Sequence, residues 1–122
     1  MISIIIPAHN EQENLKTLIP YLEMLIAHQN AEVIIAISSK NSDKTPFTHK
    51  NPNITFLKCE QSGRASQMNA AVTYAKGTIL AFLHADVKPP STFISDIKTA
   101  ITQNYEAGFF HISLINKVLC LK

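Results

Sequence analysis

What this sequence lacks narrows it first. With three glycines in 122 residues, it has neither the G-x-G-x-x-G turn of a dinucleotide site nor a G-x-x-x-x-G-K-[ST] phosphate loop. No serine sits in a G-x-S-x-G elbow. Its two cysteines, Cys59 and Cys120, lie far apart and fit no metal spacing, and its five histidines form no H-x-x-x-H pair. A zinc site is therefore not expected, and two free thiols fit a reducing cytosol. The apolar start MISIII is closed by Pro7, which is too short for a signal h-region. No apolar run approaches the ~20 residues of a membrane span. Eleven basic and nine acidic residues leave a net charge of +2, too mild to imply nucleic acid or an anionic membrane as partner. The expectation is a cytoplasmic protein with no transmembrane segment.

What is there reads as one domain, 1–122, with 46% hydrophobic residues, enough for a single core. Short β-branched runs alternate with helical periodicity. Ile2 to Ile6 is a near-continuous apolar strand of the kind buried on both faces. The i, i+3, i+4 stripe Leu15, Leu18, Ile19, Leu22, Leu25 and Ile26 makes the next segment a helix. Asn10 is placed to cap it, with Glu13 completing a capping box; Pro20 predicts a kink or break. Ala31 to Ile37 is a second buried strand, 38–53 a polar loop, and Ile54 to Cys59 a strand nearer the sheet edge. A helix follows from about Ser62, its cap, to Gly77, with Ala65, Met68, Val72 and Ala75 on one face. Thr78 to Ala85 is another buried strand; Ser91 caps a helix to about Gln103, and Ala107 to Ile115 is a final strand. This α/β order predicts a three-layer, mostly parallel, doubly wound sheet.

In such sheets ligands bind beyond the carboxyl ends of the strands, and three polar clusters fall there. HAD ends the fourth strand: Asp86 suits a hard divalent cation and His84 a nitrogen ligand, although the pair before Lys88-Pro89-Pro90 also suits a bare turn. GRASQMN opens a helix with Gly63 and Arg64, where an anion is favoured; an exposed first-turn arginine is the plainer reading. Gln67 and Asn69 need partners if buried. In PAHNE, Pro7 ends the first strand, while His9 and Glu11 suit either a nucleoside or simply a helix start.

These clusters, in this order, resemble the family 2 glycosyltransferases of GT-A fold. SIIIPAHNEQENL is similar to that family's opening strand and P-x-x-N-E. GRASQMNAAVTYAKGTILAFLHAD is similar to a bacterial subgroup with G-R-A-x-Q-M-N-A-G-A, A-x-G and F-L-H-A-D. The resemblance implies a nucleotide-diphosphate sugar, UDP- or GDP-linked, as partner. It also implies Mn²⁺ or Mg²⁺ as cofactor and transfer with inversion. Carried over by position, Pro7, Ala8, His9, Glu11 and Ser38 line the nucleoside pocket, Arg64 and Asn69 the diphosphate side, and Asp86 with His84 the metal. No catalytic base is assigned.

The sequence departs from the family in two places. Ser38 stands where relatives carry an aspartate that contacts the base, Asp43 keeps a later acid of the same stretch, and Ala71 replaces a glycine. The chain is also short for the family, whose second half carries the acceptor site and base, so the expectation is the nucleotide-binding half. The alternative is a non-catalytic fragment or relic that binds a nucleotide or a partner chain. A nucleotidyltransferase shares the α/β plan but usually carries a glycine-rich basic loop where PAHNE stands. Self-association is expected through the apolar end, Phe109, Ile112, Leu114, Val118, Leu119 and Leu121.

Overall fold

The structure is a computed structural model. It describes residues 1–104 with their side chains and, beyond them, the backbone of two strands at 108–112 and 117–121. The elements are β1 (Ile2–Ala8), α1 (Gln12–Ile26), β2 (Ala31–Ile37), β3 (Ile54–Lys58), α2 (Arg64–Tyr74), β4 (Ile79–Phe82), α3 (Phe93–Thr102), β5 (Gly108–Ile112) and β6 (Lys117–Leu121). They build one sheet in the order β3-β2-β1-β4-β6-β5. The first four are parallel, and β6 runs antiparallel to both β4 and β5. The fold class is thus the α/β, mostly parallel, three-layer arrangement the sequence predicts, with β3 at an edge.

The alternation of side chains along β1 divides the core. Ile2, Ile4, Ile6 and Ala8 face α1 and α3 together with Val33, Ile35 and Ile37 of β2. Ile5 faces the other way, with Ile34 and Ala36, onto α2. Ile4, Ile5 and Ile6 are fully buried, and burying each contributes roughly 2–3 kcal/mol. The carbonyl ends of β1 and β2 are locked in register, the Ser38 amide donating to the Ala8 carbonyl at 2.9 Å.

Several local expectations are corrected. α1 runs through Pro20 without a break. The proline is exposed, like Lys16 one turn earlier, so the carbonyl it leaves without a helical donor is within reach of water. Asn10 does not cap α1: Glu11 takes the cap position and makes no side-chain cap bond. Asn10 instead adopts φ 54°, a left-handed conformation asparagine tolerates, and turns the chain from strand to helix. Neither Ser62 nor Ser91 is the cap residue of its helix; these are Gly63 (φ 110°) and Thr92. α2 buries Gln67 and Ala71, while Ala65 is exposed. Ala71, in the glycine position, is accommodated at zero exposure against the sheet.

Gly77 does not end α2, which stops at Tyr74. It lies against β1, where a Cβ would stand 2.5 Å from Ser3 Oγ and 2.6 Å from the Met1 carbonyl. Around it, at the amino end of the sheet, Ser3 Oγ donates to buried Glu32 at 2.6 Å and accepts from the Gly77 amide at 2.9 Å, and Glu32 accepts from the Lys76 amide at 2.7 Å. The side chains expected to drive self-association, Phe109 to Leu121, lie outside the described ones, and β6 was not foreseen.

Candidate functional site

The carboxyl ends of β1 and β2 and the first turn of α2 enclose a cavity of about 360 Å³, within the range of small-ligand sites. Its walls are Pro7, Ala8, His9 and Glu11 from β1 and its exit, Ser38 and Lys40 from the chain just after β2, Ser62 and Gly63 just before α2, and Arg64 and Gln67 in its first turn. The fold therefore brings together six of the seven residues expected at the nucleotide, Pro7, Ala8, His9, Glu11, Ser38 and Arg64. Asn69 is not among them: it is exposed farther along α2, where its carbonyl accepts from Thr73 Oγ1.

His84 and Asp86 do not line this cavity. Asp86 lies on the α1 side of the sheet, in a separate cavity of about 280 Å³ with Asn14, Thr17, Tyr21 and Lys88. His84 is half-buried, and its carbonyl accepts from the Val87 amide to make the turn after β4. That turn is fastened to α1: the Tyr21 hydroxyl donates to the Pro89 carbonyl at 2.8 Å, and the Lys88 ammonium stands 4.5 Å from the Tyr21 ring centre. Pro7 and Ser38 thus line one cavity, as the strand order requires, and Asp86 lines a second one against α1.

Two residues fix the cavity's walls. Gln67, at 3% exposure, donates from Nε2 to the Ala8 carbonyl (3.0 Å) and the Ala36 carbonyl (2.8 Å), and its Oε1 accepts from the Gly63 amide (3.2 Å). Asp43 clips the loop after β2 onto α1. Its carboxylate accepts from the Gln12 amide (2.9 Å), the Asn41 side-chain amide (2.8 Å), the Thr45 amide (2.9 Å) and the Thr45 hydroxyl. Burial alone would raise its pKa. The Thr45, Asn41 and Gln12 hydrogen bonds outweigh that and bring it from 3.8 down to about 2. Asn10 completes the clip, its Oδ1 accepting from the Ser42 amide at 2.7 Å and the Asp43 amide at 3.2 Å. The acid keeping the family position is thus a helix-start clip that holds His9, Asn10 and Glu11 in place.

Ser38 is 3% exposed, and its hydroxyl accepts from the Lys40 amide at 3.1 Å. That leaves its own proton to donate, where a carboxylate could only accept. Sequence reasoning missed Lys40, whose signal was its place three residues past the end of β2. With Arg64 it gives the cavity two cationic side chains. Among the described residues no group of three His, Cys, Asp or Glu side chains is placed to hold a metal.

The model of the family described as glycosyl transferase family 2 matches residues 3–115. The chain belongs to glycosyl transferase family 2. Among solved structures it is similar to S. aureus TarS, with TM-score 0.65 and 18% identity over 88% of this chain and 20% of that one. The structure of S. aureus TarS 1–349 gives TM-score 0.62 and 16% identity over 87% of this chain and 34% of that one. At these identities the likeness is one of fold, and it places this family 2 chain in the GT-A class. The chain spans about a third or less of the length of those neighbours. No curated protein matches the sequence. Among the described residues, no helix of this family 2 chain is long and apolar enough to cross a membrane.

Proposed function

We propose that this chain is the donor-binding part of a cytoplasmic glycosyltransferase, taking a UDP- or GDP-linked sugar and serving transfer with inversion at the anomeric carbon. The observation that carries this reading is the 360 Å³ cavity between the ends of β1 and β2 and the start of α2. Its floor is Pro7 and Ala8, its rim His9 and Glu11, and Ser38 presents a hydroxyl donor to a nucleobase. Lys40 and Arg64 put two positive charges at the side where a diphosphate would lie, which stabilises the charge a departing nucleoside diphosphate develops.

A divalent cation, Mn²⁺ or Mg²⁺, belongs to the proposal. Asp86 and His84 would hold it. One carboxylate and one imidazole suit such an ion when phosphate oxygens and water complete its shell, and the imidazole favours Mn²⁺. When bound, it would add charge neutralisation to a diphosphate that extends out of that cavity towards Asp86.

The test is calorimetry of UDP and GDP against the wild-type chain and Asp86→Ala, with Mn²⁺ and with a chelator. Binding of at least one nucleotide, tighter in Mn²⁺ and weakened by Asp86→Ala, is expected. Equal affinity in metal and chelator would remove the cation from the reading, and no binding of either nucleotide would remove the donor site.

A further inference from the structure

The proposal concerns Gln67 and rests on the donor-site reading above. A buried glutamine must place two N–H donors and a carbonyl acceptor, or its burial costs free energy. Here all three needs are met by backbone, and by three different walls of one cavity. Nε2 donates to Ala8 at the end of β1 (3.0 Å) and to Ala36 near the end of β2 (2.8 Å), and Oε1 accepts from Gly63 at the start of α2 (3.2 Å). Two carbonyl acceptors on one side and one N–H donor on the other allow only this orientation of the amide. The Ala8 carbonyl already accepts from the Ser38 amide in the sheet, so Gln67 adds a second donor to a group whose first is spoken for.

The consequence is geometric. α2 begins at Arg64 with no side-chain cap, preceded by Gly63 at φ 110°. The described hydrogen bonds that tie this helix start to the strand ends run through Gln67. Most of the other buried or half-buried residues of α2 are apolar and pack on the sheet; they fix its height above the sheet, not its position along it. We infer that Gln67 is a positioning residue for donor binding: it sets the distance between Arg64 and the Ala8–Ser38 wall and so the width of the nucleotide cavity. It acts through the backbone it bonds and needs no contact of its own with the ligand.

The test compares nucleotide affinity, by calorimetry with UDP and GDP in Mn²⁺, among wild type, Gln67→Met and Gln67→Glu. A control is substituted at Ile97, a fully buried residue of α3 on the opposite face, and is chosen so that its melting temperature matches theirs. Gln67→Met keeps the volume and removes all three bonds. Gln67→Glu keeps the acceptor for Gly63 and removes both donors, and serves if the methionine variant does not fold. At a temperature where every variant is folded, the Gln67 variants are expected to bind about tenfold or more weaker than wild type, the worth of one to two hydrogen bonds of alignment, with the Ile97 control near wild type. If wild type binds and the Gln67 variants bind as well as the control, the positioning role falls and the donor site stands. If wild type binds neither nucleotide, the donor-site reading falls and takes this one with it.

Discussion

Asp43→Ala is the perturbation whose size the structure fixes best. The carboxylate accepts four hydrogen bonds, from the Gln12 amide, the Asn41 side chain, and the Thr45 amide and hydroxyl. Its pKa falls from 3.8 to about 2, which at 1.36 kcal/mol per unit is a ceiling of about 2.4 kcal/mol for the preference of this site for the charged form. The group is partly exposed, and solvent screening brings the share realised in stability to about 1–2 kcal/mol. Removing the side chain also leaves the first N–H of α1 to water, so Asp43→Ala is expected to cost about 2 kcal/mol, or roughly 8 °C in Tm for a domain of this size.

Because the folded pKa lies below the unfolded one, the unfolded chain takes up the proton first as pH falls. The stabilisation is complete above pH 3.8 and is lost as pH drops towards about 2. Asp43→Asn, uncharged throughout, lacks that part of the acid limb. The assay is thermal unfolding by circular dichroism from pH 7 to pH 2. A Tm for Asp43→Ala within 1–2 °C of wild type at pH 7, well under the shift expected for 2 kcal/mol, would refute the clip. So would acid limbs that coincide for wild type and Asp43→Asn.

Other consequences follow from the same geometry. Gly77→Ala places a methyl against Ser3 Oγ and the Met1 carbonyl and is expected to destabilise by about 2–3 kcal/mol in urea unfolding, as overpacking against backbone does. Arg64→Ala and Lys40→Ala remove exposed cations from the cavity. Each should weaken nucleotide diphosphate binding about tenfold without changing Tm, and should flatten its dependence on salt. Burial pushes the Cys59 thiol above its ordinary range. Peptide mapping after brief alkylation at pH 7 should therefore find Cys59 modified about tenfold or more slowly in the folded than in the urea-unfolded chain.

The parallel half of the sheet was legible because Ile2–Ile6, Ala31–Ile37 and Ile79–Phe82 are apolar on both faces, a pattern only a sheet covered on two sides requires. Five residues of the cavity, Pro7, Ala8, His9, Glu11 and Ser38, were legible for the same reason, since a strand's carboxyl end is where such a sheet opens; Arg64 was legible from its place at a helix start. What was not legible depends on partners distant in sequence. Asp43 meets Gln12 across 31 positions, so no local pattern could displace Asn10 as the expected cap. Gln67 meets Ala8 across 59, and its burial turns the buried face towards Gln67 and Ala71, with Met68, Val72 and Ala75 of the expected face half-buried beside it. β6 was not legible because nothing in NKVLCLK announces that it inserts between β4 and β5. That Asp86 lines a second cavity, against α1, goes with the turn after β4, which Tyr21 ties to that helix and which strand order alone does not specify.

The most direct measurement of the central claim is amide chemical-shift mapping of the chain during titration with UDP and with GDP in Mg²⁺. The account predicts that the perturbed amides cluster at 8–11, 38–40 and 62–67, the walls of the cavity at the ends of β1 and β2. Shifts confined to a third cavity, one lined by Leu57, Cys59, Ala70 and Tyr74 between the end of β3 and α2, or no saturable shifts with either nucleotide, would contradict it.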